Sequence, residues 1–284
     1  MVDITYSLIG ANSDEIDLDG VDYVLNPDFT GFGIPPTSVR IAESAGDGGV
    51  WRHTKRAIRD VDLPITILGT DRADVETKLR RLARLTQDAA GATQIVANYS
   101  DGTKLRLFVH YVGGAESQWG SDAGMVWNKW VMSFQAPTPF WISSESDSFT
   151  IRSGGTGRGL LPQLTKLKVS SAQTLGETTI ENLGDVATYP TWRIDGPITD
   201  LSISLGDLGF SFNDVVDDGE TIFIDTETGR VYDGTGANRY GILNLSPKLF
   251  SLPAGLSTVI IEGVETSAST SITCSYSPRY EVIH

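Results

Sequence analysis

Three histidines, one cysteine and two acidic clusters are the residues of this 284-residue chain whose types and spacing bear on chemistry. His53 stands in WRHTKR among cations, a poor setting for a metal ligand. His110 occupies the mixed face of an expected strand, and His284 is the last residue. No two histidines have metal-ligand spacing, and one cysteine cannot build a zinc site. Cys274 alternates with Thr270, Ile272 and Tyr276, which predicts a packed strand position rather than a reactive thiol. In EIDLDG, the residues Glu15, Asp17, Asp19 and Gly20 mimic the opening of a calcium loop, but Asn26 stands where the closing glutamate belongs. The segment reads instead as a strand entering an Asp-Gly turn. Asp214, Asp217, Asp218 and Glu220 in NDVVDDGE match no known loop and read as a polar turn before TIFID.

No G-x-S-x-G or Walker-type loop occurs. SGGTGRG is glycine-rich but lacks the strand-to-helix junction that a phosphate cradle needs, so a flexible loop is expected. These readings assign no catalytic residue, cofactor or metal. A cell-wall hydrolase working with two carboxylates alone is the enzyme reading left to the fold to test. Aromatic residues raise a sugar question. Trp192 alternates with Ile194 and reads as core, whereas Asn238 and Tyr240, with Tyr232, flank the loop GTGANRYG and are the candidate sugar contacts.

The net charge is −14. Up to Trp141 there are 13 Lys+Arg against 18 Asp+Glu, and beyond it 9 against 18. So acidic a chain should not hold DNA through its phosphates. No apolar run approaches the roughly 20 residues needed to span a bilayer, and the opening MVDITYSLIGANSDE lacks the pattern of a signal peptide.

Most of the chain has a period of two, the mark of strands with one face on a core. Val61, Leu63, Ile65 and Ile67 share a face, as do Leu105, Leu107, Val109 and Tyr111. Val126, Trp130, Met132, Phe134 and Ala136 align likewise, interrupted by Asn128. One segment differs. TDRADVETKLRRLARLTQDAAG predicts a helix over about 71–88, capped by Thr70 or Asp71, with Val75, Leu79, Leu82 and Leu85 on one stripe. Its other side carries Lys78, Arg80, Arg81 and Arg84, either a solvated face or a docking face for an acidic neighbouring subunit. After residue 142 no helical pattern appears. Short strands, LTKLKV, TTIENL, PTWRID, TIFID, LFSL and SITCSY among them, alternate with turns and predict a β-sandwich.

The strand VMSFQA runs into PTPFW at the middle of the chain. Pro137 and Pro139 cannot donate to a ladder and restrict the residues before them. With Phe140 and Trp141 packing where two domains meet, they predict an inter-domain hinge, dividing the chain into 1–142 and 143–284.

The order SFQAPTPFW, NLGDVATYPTWRIDGPITDLSISL, DGETIFIDTETGRVYD, LFSLPAGLSTVIIEG and SYSPRY resembles the distal tail protein family of long-tailed, non-contractile bacteriophages, the tail-tip or baseplate hub components. It covers essentially the whole chain, departing slightly where Leu256 and Ser257 follow Gly255. The resemblance implies a mainly β protein: an N-terminal β-rich belt domain with one α-helix, then a C-terminal galectin-like β-sandwich. It implies a hexameric ring at the distal end of the tail in the virion, made in the host cytoplasm. The ring would join a tail tube protein to a tail-associated tip protein, with no enzymatic activity and a lumen through which DNA passes. The alternative is a carbohydrate-binding adsorption module acting through the sandwich.

Overall fold

A computed structural model describes residues 4–87, 91–152 and 176–283 of the chain. The segments SGGTGRG and LTKLKV, and His284, lie outside these residues. The chain forms two compact units, Met1–Glu145 with Arg279–His284, and Ser146–Pro278. The last six residues, placed with the second half by sequence, thus belong to the first unit.

In the first unit the strands are β1 (Ile4–Ile9), β2 (Glu15–Asp17), β3 (Tyr23–Leu25), β4 (Thr37–Glu43), β5 (Gly49–Arg56), β6 (Arg59–Leu68), β7 (Thr93–Tyr99), β8 (Lys104–Gly114), β9 (Trp127–Ala136) and β10 (Trp141–Ser143). Among the described residues of this unit one helix, α1 (Arg72–Leu85), lies between β6 and β7. The main sheet runs β2-β1-β7-β8-β9-β6-β3, with β10 pairing both β8 and the closing strand Arg279–Tyr280. Strands β4 and β5 form a separate two-stranded sheet.

The expected alternation carries the core. Val61, Leu63, Ile65 and Ile67 are fully buried, as are Leu107 and Val109. Val126 differs: it lies ahead of β9 and is exposed, while Asn128, expected to interrupt the face, is buried. Helix α1 starts where its chemistry directs. The Asp71 side chain accepts from Asp74 N–H at 2.9 Å, and the Asp74 carboxylate accepts from Thr70 N–H at 2.9 Å, a reciprocal arrangement like a capping box. Val75, Leu82 and Leu85 are buried along its inner stripe. The helix ends at Leu85, three residues before the expected limit of 88.

The second unit is a two-sheet sandwich of antiparallel strands. One sheet contains β11 (Asp147–Arg152), β13 (Thr191–Asp195), β16 (Thr221–Asp225), β17 (Arg230–Asp233) and β19 (Ser271–Tyr276), in the order β11-β19-β13-β16-β17. The other runs β12-β18-β14-β15, from β12 (Glu177–Asn182), β14 (Thr199–Leu205), β15 (Leu208–Ser211) and β18 (Gly255–Val264). Trp192, Ile194, Ile222, Ile224 and Ile272 of the first sheet share one core with Ile180, Leu201, Ile203, Val259 and Ile261 of the second. The β16–β17 hairpin turns at Gly229, whose φ is 70°, a left-handed value that glycine adopts without steric cost. LFSL, expected as a strand, makes only an isolated bridge from Leu252 to Thr188, though Phe250 and Leu252 remain buried. Pro253 follows at once and supplies no N–H to extend the pairing.

Cys274 is buried in this core, and burial pushes its thiol pKa up to about 12. We expect no reaction with a water-soluble disulfide reagent at pH 8 while the unit is folded, and one thiol per chain after denaturation. Rapid labelling of the native protein would contradict this placement.

Candidate functional site

The β4–β5 ribbon is the most exposed element of the first unit, and its register sorts its side chains into two faces. Val39 lies opposite Thr54 and Ile41 opposite Trp51; on the other face Arg40 lies opposite His53, Ser38 opposite Lys55 and Ala42 opposite Val50. Residues directly opposite across an antiparallel pair share a face. One face therefore carries the apolar group Val39, Ile41 (61% exposed) and Trp51 (62% exposed), flanked by Arg56 and Glu43 at its two ends, and the other carries the cations Arg40 and Lys55. A bulge between Arg40 and Ile41 absorbs Arg52. At the tip, Ser44 Oγ donates to the carbonyls of Gly46 and Gly48, both at 3.0 Å.

The base of the ribbon is anchored by two arginines. Arg56 makes a two-pronged contact with the Glu281 carboxylate, Nε to Oε1 and Nη2 to Oε2 each at 2.8 Å. Arg59 is buried and donates to four carbonyls: Pro139 at 2.8 Å, Gly31 at 2.6 Å, Gly33 at 2.7 Å and Glu281 at 2.6 Å. Burial pulls its pKa down to about 10, against the opposing influence of Glu281. The guanidinium remains charged at neutral pH and ties β6, the loop before β4, the turn after β9 and the closing segment to one point.

The four hinge residues fall within the first unit. Pro139 is buried and accepts from Arg59. Pro137 is exposed directly after β9. The Arg279 guanidinium lies 4.7 Å from the Phe140 ring centroid. Trp141 is fully buried in the first core, edge-on to Phe32 with centroids 5.3 Å apart. The chain leaves this unit four residues later, after Glu145.

The basic helix face divides in two. Lys78 Nζ contacts Asp22 Oδ1 at 2.6 Å, Asp74 Oδ2 at 2.9 Å and the Leu68 carbonyl at 2.8 Å. Arg81 grips the Asp14 carboxylate at 2.6 and 3.2 Å. These two cations hold the helix to its own unit. Arg80 and Arg84 are exposed along an open depression with Thr77 and Ala83.

The hydrogen bond from Arg81 holds the Asp14 carboxyl below its ordinary 3.8. A carboxylate whose folded pKa is depressed contributes stability that is complete above the unfolded pKa and lost as pH falls through the folded one. We expect the first unit's melting temperature to fall more steeply between pH 4 and pH 2 in the wild type than in Asp14→Asn. Parallel pH profiles would refute that anchoring role.

In the second unit, a groove of about 260 Å³ is lined by Arg230, Tyr232, Asn238 and Tyr240 among others. Tyr232 stacks on Phe223 at 5.2 Å, and the Arg230 guanidinium lies 5.5 Å from the Tyr232 ring centroid. Asn238 Oδ1 accepts from Tyr240 N–H at 2.9 Å, so the amide oxygen is engaged in the loop itself. The structure brings Asn238 and Tyr240 together, with Tyr240 48% exposed.

The acidic clusters are engaged by neighbours within their own units. Asp17 accepts from Asp19 N–H, Asp19 from Tyr6 N–H, Asp218 from Ser269 Oγ, and Glu220 pairs with Arg239 at 2.6 Å. Among the described residues no three His, Cys, Asp or Glu side chains gather as a metal-ligand set, and no helix is long and apolar enough to cross a membrane.

Sequence reasoning did not single out the ribbon or the Arg59 clamp. Signals for both were present. Arg59 is in phase with the inward residues Val61, Leu63, Ile65 and Ile67, and an arginine in phase with a core face calls for buried acceptors. SAGDGG is a turn between two extended segments.

No family model and no curated protein matches the chain. Solved structures do. The SPP1 Dit protein, described as a paradigm of the hub adsorption apparatus in phages infecting Gram-positive bacteria, superposes with a TM-score of 0.68 at 13% identity, over 96% of this chain and 98% of that one. A chain of the phage P2 baseplate, in its activated conformation with Ca, matches with a TM-score of 0.56 at 11% identity, over 99% of this chain and 100% of that one. The strontium form gives 0.57 at 10% identity, over the same shares. Over nearly its whole length, this chain has the fold of a Dit-like phage tail hub protein.

Proposed function

We propose that this chain is a structural virion protein, the hub at the distal end of a long non-contractile phage tail. The observation that carries this reading is the shared fold along nearly the full length of both this chain and SPP1 Dit. The first unit acts as the belt domain, whose copies close into a ring, six on the pattern of the family. One ring face meets the tail tube protein and the other the tail-associated tip protein. The second unit is the galectin-like sandwich. DNA leaves through the lumen, for which the net charge of −14 is suited, because a basic lining would hold the phosphate backbone. The protein works by shape, without catalysis.

Size-exclusion chromatography with light scattering, followed by negative-stain imaging, tests the reading. A closed ring with a central hole is expected. A chain that stays monomeric at every concentration, or one that clears host cell walls in a zymogram, would overturn it.

The exposed Tyr240 ring beside the Arg230–Tyr232 groove supports a second reading, a carbohydrate-binding adsorption module. Glycan binding that disappears in both Tyr240→Ala and Asn238→Ala is its expected signature. No binding to host polysaccharide would remove it.

A further inference from the structure

The ring reading leaves open which surfaces join one copy to the next, and two features of the first unit are complementary. Among the described residues the β4–β5 ribbon pairs with no other strand along either of its long edges. An isolated two-stranded ribbon is at best marginally stable in water, and free strand edges beside exposed apolar side chains invite a partner. Within a chain of net charge −14 the ribbon is basic, carrying Arg40, Arg52, Lys55 and Arg56 against Glu43 and Asp47. Arg56 is committed to Glu281 at the base. Arg40 and Lys55 stand on the cationic face, which ends near the tip in the apolar pair Ala42 and Val50.

The outward face of β6 and β9 presents the reverse. An open groove of about 510 Å³ has an apolar floor at Pro64 and Val131, which are directly opposite in the ladder. Val131 is 51% exposed. The groove is edged by Asp28, Glu116 and Asp122, with Lys129 as its one cation. Asp28 and Glu116 have no ion-pair partner among the described residues. Along the same face, Asp60 and Asp62 of β6 add negative charge, although each also accepts a hydrogen bond from β9.

We propose that the cationic face of the β4–β5 ribbon of one copy seats in the acidic groove over β6 and β9 of the next copy. Val50 and Ala42 then lie over Pro64 and Val131, while Arg40 and Lys55 meet Asp28 and Glu116. The contact joins two different patches, so it is heterologous, the type that generates a ring when its rotation closes on a whole turn. The opposite ribbon face, Val39, Ile41 and Trp51, has no part in the charge pairing. This assignment rests on the self-assembly proposed above and names its interface.

A charge exchange in the full chain tests it. Arg40→Glu with Lys55→Glu reverses the ribbon, Asp28→Lys with Glu116→Lys reverses the groove, and a fourfold variant carries both reversals. All four positions are exposed, and far-UV circular dichroism with a thermal melt checks that each variant folds. Light scattering across a concentration series is expected to show the wild type as a ring. Each single-sided reversal should raise the concentration for half-assembly at least 10-fold, and the fourfold variant should return to near wild type. Rising salt should also weaken the wild-type ring, since exposed charge pairs are screened. Two results would overturn the interface and leave the hub reading standing: a wild-type ring unaffected by either reversal, or one lost in both and not restored in the fourfold variant. A wild type that never assembles would overturn both.

Discussion

Replacing Arg59 with leucine is expected to cost the first unit about 3–5 kcal/mol, because several buried backbone carbonyls lose their one charged donor at once, offset in part by no longer burying that charge. The guanidinium is nearly fully buried and serves the carbonyls of Gly31, Gly33, Pro139 and Glu281. Leucine fills part of the volume but leaves these acceptors without their donor, and an unsatisfied buried acceptor costs about 1–3 kcal/mol. For a unit of this size the loss corresponds to a melting shift of roughly 6–20 °C. Arg59→Lys should recover only part of it, because one ammonium cannot reproduce a planar fork that reaches four carbonyls. Calorimetry resolves the outcome. If Arg59→Leu melted within 2 °C of wild type, the clamp would not be a main fastening of the ribbon base and the closing segment.

The second large effect is expected at Trp192. It is fully buried between the two sheets and meets Phe210 and Phe250 edge-on, at centroid distances of 6.5 and 6.2 Å. Trp192→Ala should destabilise the second unit by about 3–5 kcal/mol, combining lost transfer energy with the cavity left behind. The indole N–H has no hydrogen-bond partner among the described residues. Trp192→Phe therefore sacrifices no hydrogen bond and should cost less than half as much. A phenylalanine variant as unstable as the alanine one would show that the indole N–H makes a bond this geometry lacks. Urea titration followed by tryptophan-independent circular dichroism separates the two cases.

Together the two sites show which parts of the protein were legible before any coordinates. Trp192 was readable as core because it alternates with Ile194 in a short strand, and local periodicity alone assigns that face. The start of α1 was readable because Thr70 and Asp71 are capping residue types ahead of the apolar stripe, and the structure selects Asp71 as the cap. Arg59 was not recognised, since its acceptors come from segments up to 222 residues away. Trp141 was expected at a domain joint because prolines precede it; its burial depends on Phe32 and on pairing with the closing strand. Of the helix cations, Lys78 and Arg81 looked as available as Arg80 and Arg84 until Asp22 and Asp14 were placed beside them.

The amino-acid sequence by itself determined the strand-rich character of both halves, the helix α1, the inward faces of the main strands and the lack of paired ligand motifs. These follow from side-chain period and turn chemistry, which act over a few residues. Only the tertiary structure decided that the last residues return to the first unit, that an arginine closes its loops, and that a basic ribbon and an acidic groove occur on the same unit. Those outcomes depend on which distant backbone acceptors and carboxylates share a location, and chain closure sets that location where no local pattern can.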